Sequence, residues 1–209
     1  MTKSIDAILT FWFGTLNEQG LCAPEQHALW FKSSDKTDQL CRENFEALVH
    51  QAIAGQLDHW ETSDRGVIAL IILLDQFTRN IFRGTPQAFI GDQHALDIAQ
   101  RVIAAGRHLQ LPAIHRVFLY LPLEHSESLP VQEQCIELFA QLRGAQEGAV
   151  QQGAVQQGAV QQAFTGFERY AIAHRDVIAQ FGRFPHRNTI LGRVSTEAEL
   201  EYLKTHGGF

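Results

Sequence analysis

Apolar residues recur at three- and four-residue intervals along almost the whole chain. No segment alternates apolar and polar positions with the period of two that a half-buried strand needs. Each periodic stretch carries its own helix punctuation. Ser4 caps a first predicted helix through Phe13, with Ile8, Leu9, Phe11 and Trp12 on one stripe. Pro24 falls in the first turn of a short helix ending near Trp30 and Phe31. Asp35 caps a longer one carrying Leu40, Phe45, Leu48, Val49 and Ile53, with Gly55 near its end. Asp64 caps a helix that holds the unbroken apolar run at 67–74. Thr85-Pro86 starts another, with Phe89, Ala95, Leu96, Ile98, Val102 and Ile103, closing at Gly106. Pro112 opens a segment containing Val117 and Leu121, which Pro122 is expected to break or kink. Pro130 opens a helix to about Leu142, and a further helix spans Phe164 and Gln180. Thr196 and Glu199 form a capping box for the last helix, before Gly207-Gly208. The pattern predicts an all-α fold of antiparallel helix pairs joined by short connections.

One segment departs from this pattern. The pentapeptide GAVQQ occurs three times in tandem at 148–162. A five-residue repeat advances about 500° around a helix, so successive valines fall roughly 140° apart and build no apolar face. Each glycine costs about 1 kcal/mol relative to alanine in a helix. The array reads as an expanded surface insertion between two helices, loose or weakly helical. Self-association through its valines and glutamines is the less favoured reading, and a homo-oligomer stays open.

The 209 residues suit one domain over 1–209, and 45% hydrophobic with 19% charged residues fits a soluble globular protein. A net charge of −6 argues against a nucleic-acid partner. Cys22, Cys41 and Cys135 form no CxxC pair, and an odd number gives no disulfide framework. Buried thiols are expected at Cys41 and Cys135. The start of the chain lacks the form of a signal peptide. The run at 67–74 is far shorter than the roughly 20 residues that span a bilayer. A cytoplasmic protein without a membrane partner is expected.

Three polar sets interrupt the apolar pattern. The first is 73–86, LLDQFTRNIFRGTP, where charge enters a core-grade run. Charges do so when they are paired or contact a ligand. Asp75 and Arg79 are spaced to pair, and Gln76, Asn80 and Arg83 form a neighbouring stripe. A structural account is also available, an intrahelical bridge with Arg83 closing the helix near Gly84. The second set is 181–188, FGRFPHRN. Gly182 and Pro185 force a turn there, Phe181 and Phe184 anchor it, and Arg183, His186, Arg187 and Asn188 are held out on it. Fixed arginines suit two-pronged recognition of carboxylate or phosphate. Fastening of the turn by Arg187 and Asn188 explains one or two of these residues more easily than four. The third set is 121–127, LPLEHSE. Glu124, His125 and Glu127 lack the spacing of a metal site. His125 reads as a hydrogen-bonded, partly buried histidine or a general base, and His174 is a further candidate for the same pocket. There is no GxGxxG, GxxxxGK[ST] or GxSxG, so no cofactor is expected. Trp12, Trp30 and Trp60 read as inter-helix packing.

Taken together these residues resemble the DUF924 family of uncharacterised bacterial proteins. The resemblance rests on Phe11-Trp12-Phe13 with Trp30-Phe31, on 74–86, on 118–127, on His174-Arg175-Asp176, and on 181–188 followed by Leu191-Gly192-Arg193. It covers almost the whole chain and implies an all-α, TPR-like fold. It brings no activity, and a fold alone supplies none. Two departures stand out. Thr78 occupies a position where the family pattern has proline, which implies a straighter helix there. The GAVQQ array falls where the family keeps its chain short.

The leading functional expectation is binding of a small anionic molecule by Arg79, Arg83, Arg183 and Arg187. Asp75 and Asn80 would orient the arginines, while His125 and Glu124 would read or protonate the ligand. His174, His186 and Asn188 complete the expected set. Two alternatives are weighed beside it. One is an enzyme using His125 or His186, with Glu124, for general acid/base chemistry. The other is a TPR-like module for peptides. The common-pocket idea requires the three motifs to meet.

Overall fold

The structure, a computed structural model, describes residues 2–31, 34–151 and 159–207. Among the described residues it contains helices and turns and no strand, so the all-α expectation holds. In chain order the helices are α1 (Thr2–Phe13), α2 (Gln26–Phe31), α3 (Asp35–Ile53) and α4 (Asp64–Ile71). A π-helical stretch (Ile72–Phe77) then leads into α5 (Thr78–Ile81). After it come α6 (Asp92–Ala104), α7 (Ala113–Glu124), α8 (Leu129–Gln151), α9 (Ala159–Phe181) and α10 (Glu197–His206). Short 3-10 turns occupy Asp58–Thr62, Pro86–Phe89, Arg107–Gln110 and Pro185–Arg187.

Local chemistry accounts for most of the boundaries. The side-chain oxygens of Ser34 and Ser63 accept from the amides of Thr37 and Gly66, each at 3.1 Å. These serines, not the neighbouring Asp35 and Asp64, are therefore the caps. The two aspartates stand in the first turn, where the helix dipole favours negative charge. The capping box of α10 forms as expected, with Glu199 N to Thr196 Oγ1 at 3.2 Å and Thr196 N to Glu199 Oε2 at 2.7 Å. Pro122 does not break α7. The helix continues to Glu124, and the amide of His125 still reaches the Leu121 carbonyl at 2.9 Å. The helix expected from Thr85-Pro86 instead divides into a 3-10 turn and α6, with Gly91 between them. α8 extends beyond Leu142 to Gln151, so the described parts of the GAVQQ array are helical, and 152–158 lie outside the described residues. Those seven residues are too few to run back along a 23-residue helix, so α8 and α9 pack antiparallel.

α4, the π stretch and α7 form the centre of the core. Ile68, Leu70, Ile72, Leu74, Phe118 and Leu119 are fully buried there. α3 presents Thr37, Cys41, Phe45, Val49 and Ala52 to this centre at helical spacing. Trp12 of α1 packs edge-on to Phe77 at 5.3 Å and to Phe118 at 5.9 Å. Its carbonyl accepts from the Trp30 indole at 2.8 Å. The tryptophans are thus packing residues. Cys41 and Cys135 are buried free thiols.

The backbone stays helical through Thr78, from α4 by way of the π stretch into α5. The chain widens into a π turn just before it, and the Thr78 hydroxyl donates to the Leu74 carbonyl at 2.8 Å. A threonine can therefore follow a π turn by supplying a side-chain donor to its carbonyls. The turn matters because it carries Asp75. Among the described residues no helix is long and apolar enough to cross a membrane.

Candidate functional site: a buried carboxylate, histidine and arginine network

Asp75 is fully buried within the π stretch. Its Oδ1 lies 2.7 Å from Nδ1 of His125, at the end of α7, and its Oδ2 accepts from Gln76 at 2.6 Å. Arg79 Nη1 stands 3.3 Å from Oδ1 and donates to the Asp75 carbonyl at 2.6 Å. Burial alone would raise the Asp75 carboxyl. The charge of Arg79 and the contacts from His125 and Gln76 outweigh it and hold the group well below the usual carboxylate range. His125 is pulled down by burial and by Arg79, against the opposing pull of Asp75. The pair is therefore an ionised Asp75 and a neutral His125 at neutral pH. With its Nδ1–H donating to the Asp75 carboxylate, the imidazole keeps its lone pair on Nε2.

Arg79 continues the chain of contacts into α6. Its two terminal nitrogens donate to both oxygens of Asp92, at 2.8 and 3.1 Å. Asp92 also meets Arg187, whose Nη1 lies 3.3 Å from Oδ2. The Arg187 guanidinium lies between two aromatic rings, 4.7 Å from the centre of Phe89 and 4.5 Å from that of Phe184. Only 7% of the residue is exposed, and its Nε has no hydrogen-bond partner. Burial, reinforced by Arg79, pushes it down to about 10.

A second layer lies behind His125. Its ring centre is 6.3 Å from that of His174, whose Nδ1 is 2.9 Å from the Tyr170 carbonyl and 3.4 Å from Glu124 Oε1. Burial, with His125 nearby, drives His174 down to about 3, and burial with Arg187 drives His186 to about 4. Glu124 goes the other way. Burial, helped by the Asp75 charge, raises it to about 8. Two buried carboxyls in one network are thus driven apart, one ionised and one protonated.

The network unites Asp75, Arg79, Glu124, His125, His174, His186 and Arg187. Four other expected residues have different partners. Asn80 and Arg83 both bond Asp38 of α3, at 2.8 Å and at 2.6 and 2.8 Å. Arg183 grips Glu199 of α10 through two bonds at 2.6 and 2.8 Å. Asn188 is fully buried and donates to Ser195 at 3.0 Å. Glu127 fastens the 181–188 turn, accepting from the Phe184 amide at 2.8 Å and from Arg193 at 2.7 and 2.9 Å. Asp92 and Phe89 were not singled out from sequence. An aspartate at a helix start has an ordinary dipole explanation, and no spacing links it to Arg79 or Arg187.

Access to the network runs past three partly open side chains, His125 at 15% and Arg79 and Asp92 at 21% each. Two concavities, of about 510 and 460 Å³, open elsewhere, one around Phe13, Arg65 and His115 and one around Asn17, Arg116 and Gln146. Among the described residues no group of three or more His, Cys, Asp or Glu is placed to hold a metal ion.

The raised Glu124 gives a pH prediction. A carboxyl at about 8 in the fold and 4.5 outside it takes up a proton on folding. Its stabilising contribution is full below 4.5 and is lost as pH rises through 8. Asp75, His174 and Cys135 are the titratable groups facing it. His174 and His186 act in the opposite sense, but only below about 6.5. Urea unfolding between pH 6.5 and 8 should therefore show stability falling with pH. Glu124→Gln should flatten that slope; an unchanged slope would place the proton elsewhere.

Comparison with known proteins came to three findings. The family model described as bacterial protein of unknown function (DUF924) matches residues 8–207. A solved structure of a protein of unknown function from Agrobacterium tumefaciens is similar at 30% identity, with a TM-score of 0.77 over 98% of each chain. No curated protein matches.

Proposed function

This chain belongs to the DUF924 family of bacterial proteins of unknown function, and because that membership carries no activity we propose one from the geometry: the network around Asp75 binds a small anionic molecule, a carboxylate or phosphate, through Arg187. The observation that carries the reading is the state of the Arg187 side chain. A guanidinium has five N–H donors, and this one is 7% exposed with a single 3.3 Å bond to Asp92 and an unpartnered Nε. A buried cation short of acceptors is costly unless something supplies them. Two anion oxygens would do so in the two-pronged geometry that arginine favours. Arg79, Arg83 and Arg183 are already engaged by Asp92, Asp38 and Glu199, so the expected four-arginine set narrows to Arg187, with Arg79 behind it.

One observation favours an enzyme over a simple binder. A buried carboxylate holding a histidine through Nδ1, with Nε2 left as acceptor, is the arrangement that orients a general base. The fixed Asp75–His125 pair has that form.

Calorimetric titration with inorganic phosphate and with succinate tests the binding reading. The parent chain should bind at least one of them. Arg187→Gln should weaken that binding by about 10- to 100-fold, the range expected for charge-assisted bonds, while Arg83→Ala should leave it unchanged. Parent-like binding by a folded Arg187→Gln variant would sink the proposal.

A further inference from the structure

The cavity of about 510 Å³ lies between the end of α1 and the first turn of α7, at the opposite end of α7 from His125. Ten residues separate His115 in that turn from His125, about 15 Å along the helix. Leu9 and Phe13 of α1, Leu16 after it, and Leu111 and Pro112 before α7 give the cavity an apolar lining, and His115 lines it as well. The walls are tied together. Gly14, with φ 65°, turns the chain out of α1, and the Ile114 amide donates to the Gly20 carbonyl at 3.3 Å. A Cβ on Gly20 would lie 2.9 Å from that of Pro112, so this loop sits directly on the start of α7.

His115 is 6% exposed, and its ring packs on that of Phe13 with centres 4.6 Å apart. Neither ring nitrogen has a hydrogen-bond partner among the described residues. Packing against Phe13 would be served as well by an apolar side chain, so the two nitrogens need another explanation. The cavity that His115 lines supplies one. Among the described residues its wall carries two charged side chains, and both are already paired. Arg65 meets Asp6 at 2.6 Å, and Asp64 meets Arg107 at 2.7 Å.

We propose that this cavity is a second binding site, for a small uncharged molecule with an apolar body and one hydroxyl group that bonds the His115 imidazole. The volume is that of small-molecule pockets. A neutral imidazole has one N–H and one lone pair, and a hydroxyl answers either, whichever tautomer is present. A hydrocarbon would fill the apolar lining and leave both nitrogens unmet. A carboxylate or an ammonium would meet no unpaired counter-charge on the wall.

The matched pair p-cresol and toluene tests this, because the two share one apolar body and differ by the hydroxyl. Both would be titrated by calorimetry at pH 8, where an imidazole and a phenol are uncharged. The parent chain should bind p-cresol about 5- to 10-fold more tightly than toluene, the worth of one net hydrogen bond. His115→Phe keeps a ring against Phe13 and removes both nitrogens, so it should abolish the preference and still bind toluene. If that variant does not fold, a crystal structure of the parent chain with 4-iodophenol decides the matter. The iodophenyl ring should lie against Phe13, with its oxygen within hydrogen-bond distance of His115. Equal affinities in the parent, a preference that survives His115→Phe, or no binding of either compound would overturn the proposal, as would 4-iodophenol bound only elsewhere.

Discussion

Asp75→Ala should destabilise the protein by about 3–5 kcal/mol, the range for removing one partner of a buried charged network. The loss follows from what the carboxylate satisfies. It lies in the core with no exposed surface and serves His125 Nδ1, the Gln76 amide and Arg79 together. Without it, Arg79 and Arg187 share the single carboxylate of Asp92. In a chain of this length each kcal/mol moves Tm by about 2–4 °C, so thermal unfolding should shift by roughly 10 °C. Asp75→Asn should cost less, because the amide oxygen can still accept from Gln76 and Arg79 keeps its bond to the backbone carbonyl of residue 75. Its NH₂ would face both His125 and Arg79, however, and turn the imidazole to the opposite tautomer. A loss below about 1 kcal/mol for Asp75→Ala in urea unfolding would mean that the network is not coupled as described.

Gly91→Ala should be comparably severe for a different reason. A Cβ on Gly91 would lie 2.2 Å from the Leu74 carbonyl oxygen and 2.9 Å from its carbon. Both atoms belong to backbone, which cannot swing aside as a flexible side chain does. The start of α6 would have to move off the π stretch, drawing Asp92 away from Arg79. Overpacking of this kind costs about 1–3 kcal/mol, and more when the obstacle is rigid. Backbone conformation is not at issue, since Gly91 has φ −90°. Gly144→Ala in α8 is the natural control, because nothing lies within 4 Å of its added Cβ. That change should be neutral or stabilising by up to about 1 kcal/mol. Differential scanning calorimetry separates the two. A Gly91→Ala variant melting like the parent would show that the α6 contact opens freely.

The helical class and most helix positions were legible because apolar spacing and capping residues are local signals. The α10 box and the Asp75–Arg79 pair depend on neighbours three or four residues away, and both formed. The true caps of α3 and α4 were missed because Ser34-Asp35 and Ser63-Asp64 each offer two competent residues in a row, and spacing cannot choose between them. Partner choice among the arginines was not legible either. Arg79 and Arg83 look equivalent in sequence, yet α5 ends at Ile81, so Arg83 leaves the face of Arg79 and turns to Asp38. Arg183 and Arg187 diverge in the same way across the turn at Pro185–Arg187, one to Glu199 and the other to Asp92. The close approach of Gly91 to the Leu74 carbonyl in the π stretch joins residues far apart in sequence, which local spacing does not reveal. The polar motifs therefore indicated which residue types would matter, and packing decided which of them share a network.

The account turns on Arg187 facing an anion. The most direct measurement is a crystal structure of the chain grown with inorganic phosphate. The account predicts phosphate oxygens within hydrogen-bond distance of the Arg187 guanidinium. A ligand lodged instead around His115, or no ligand density at the network at concentrations where binding heat is observed, would contradict it.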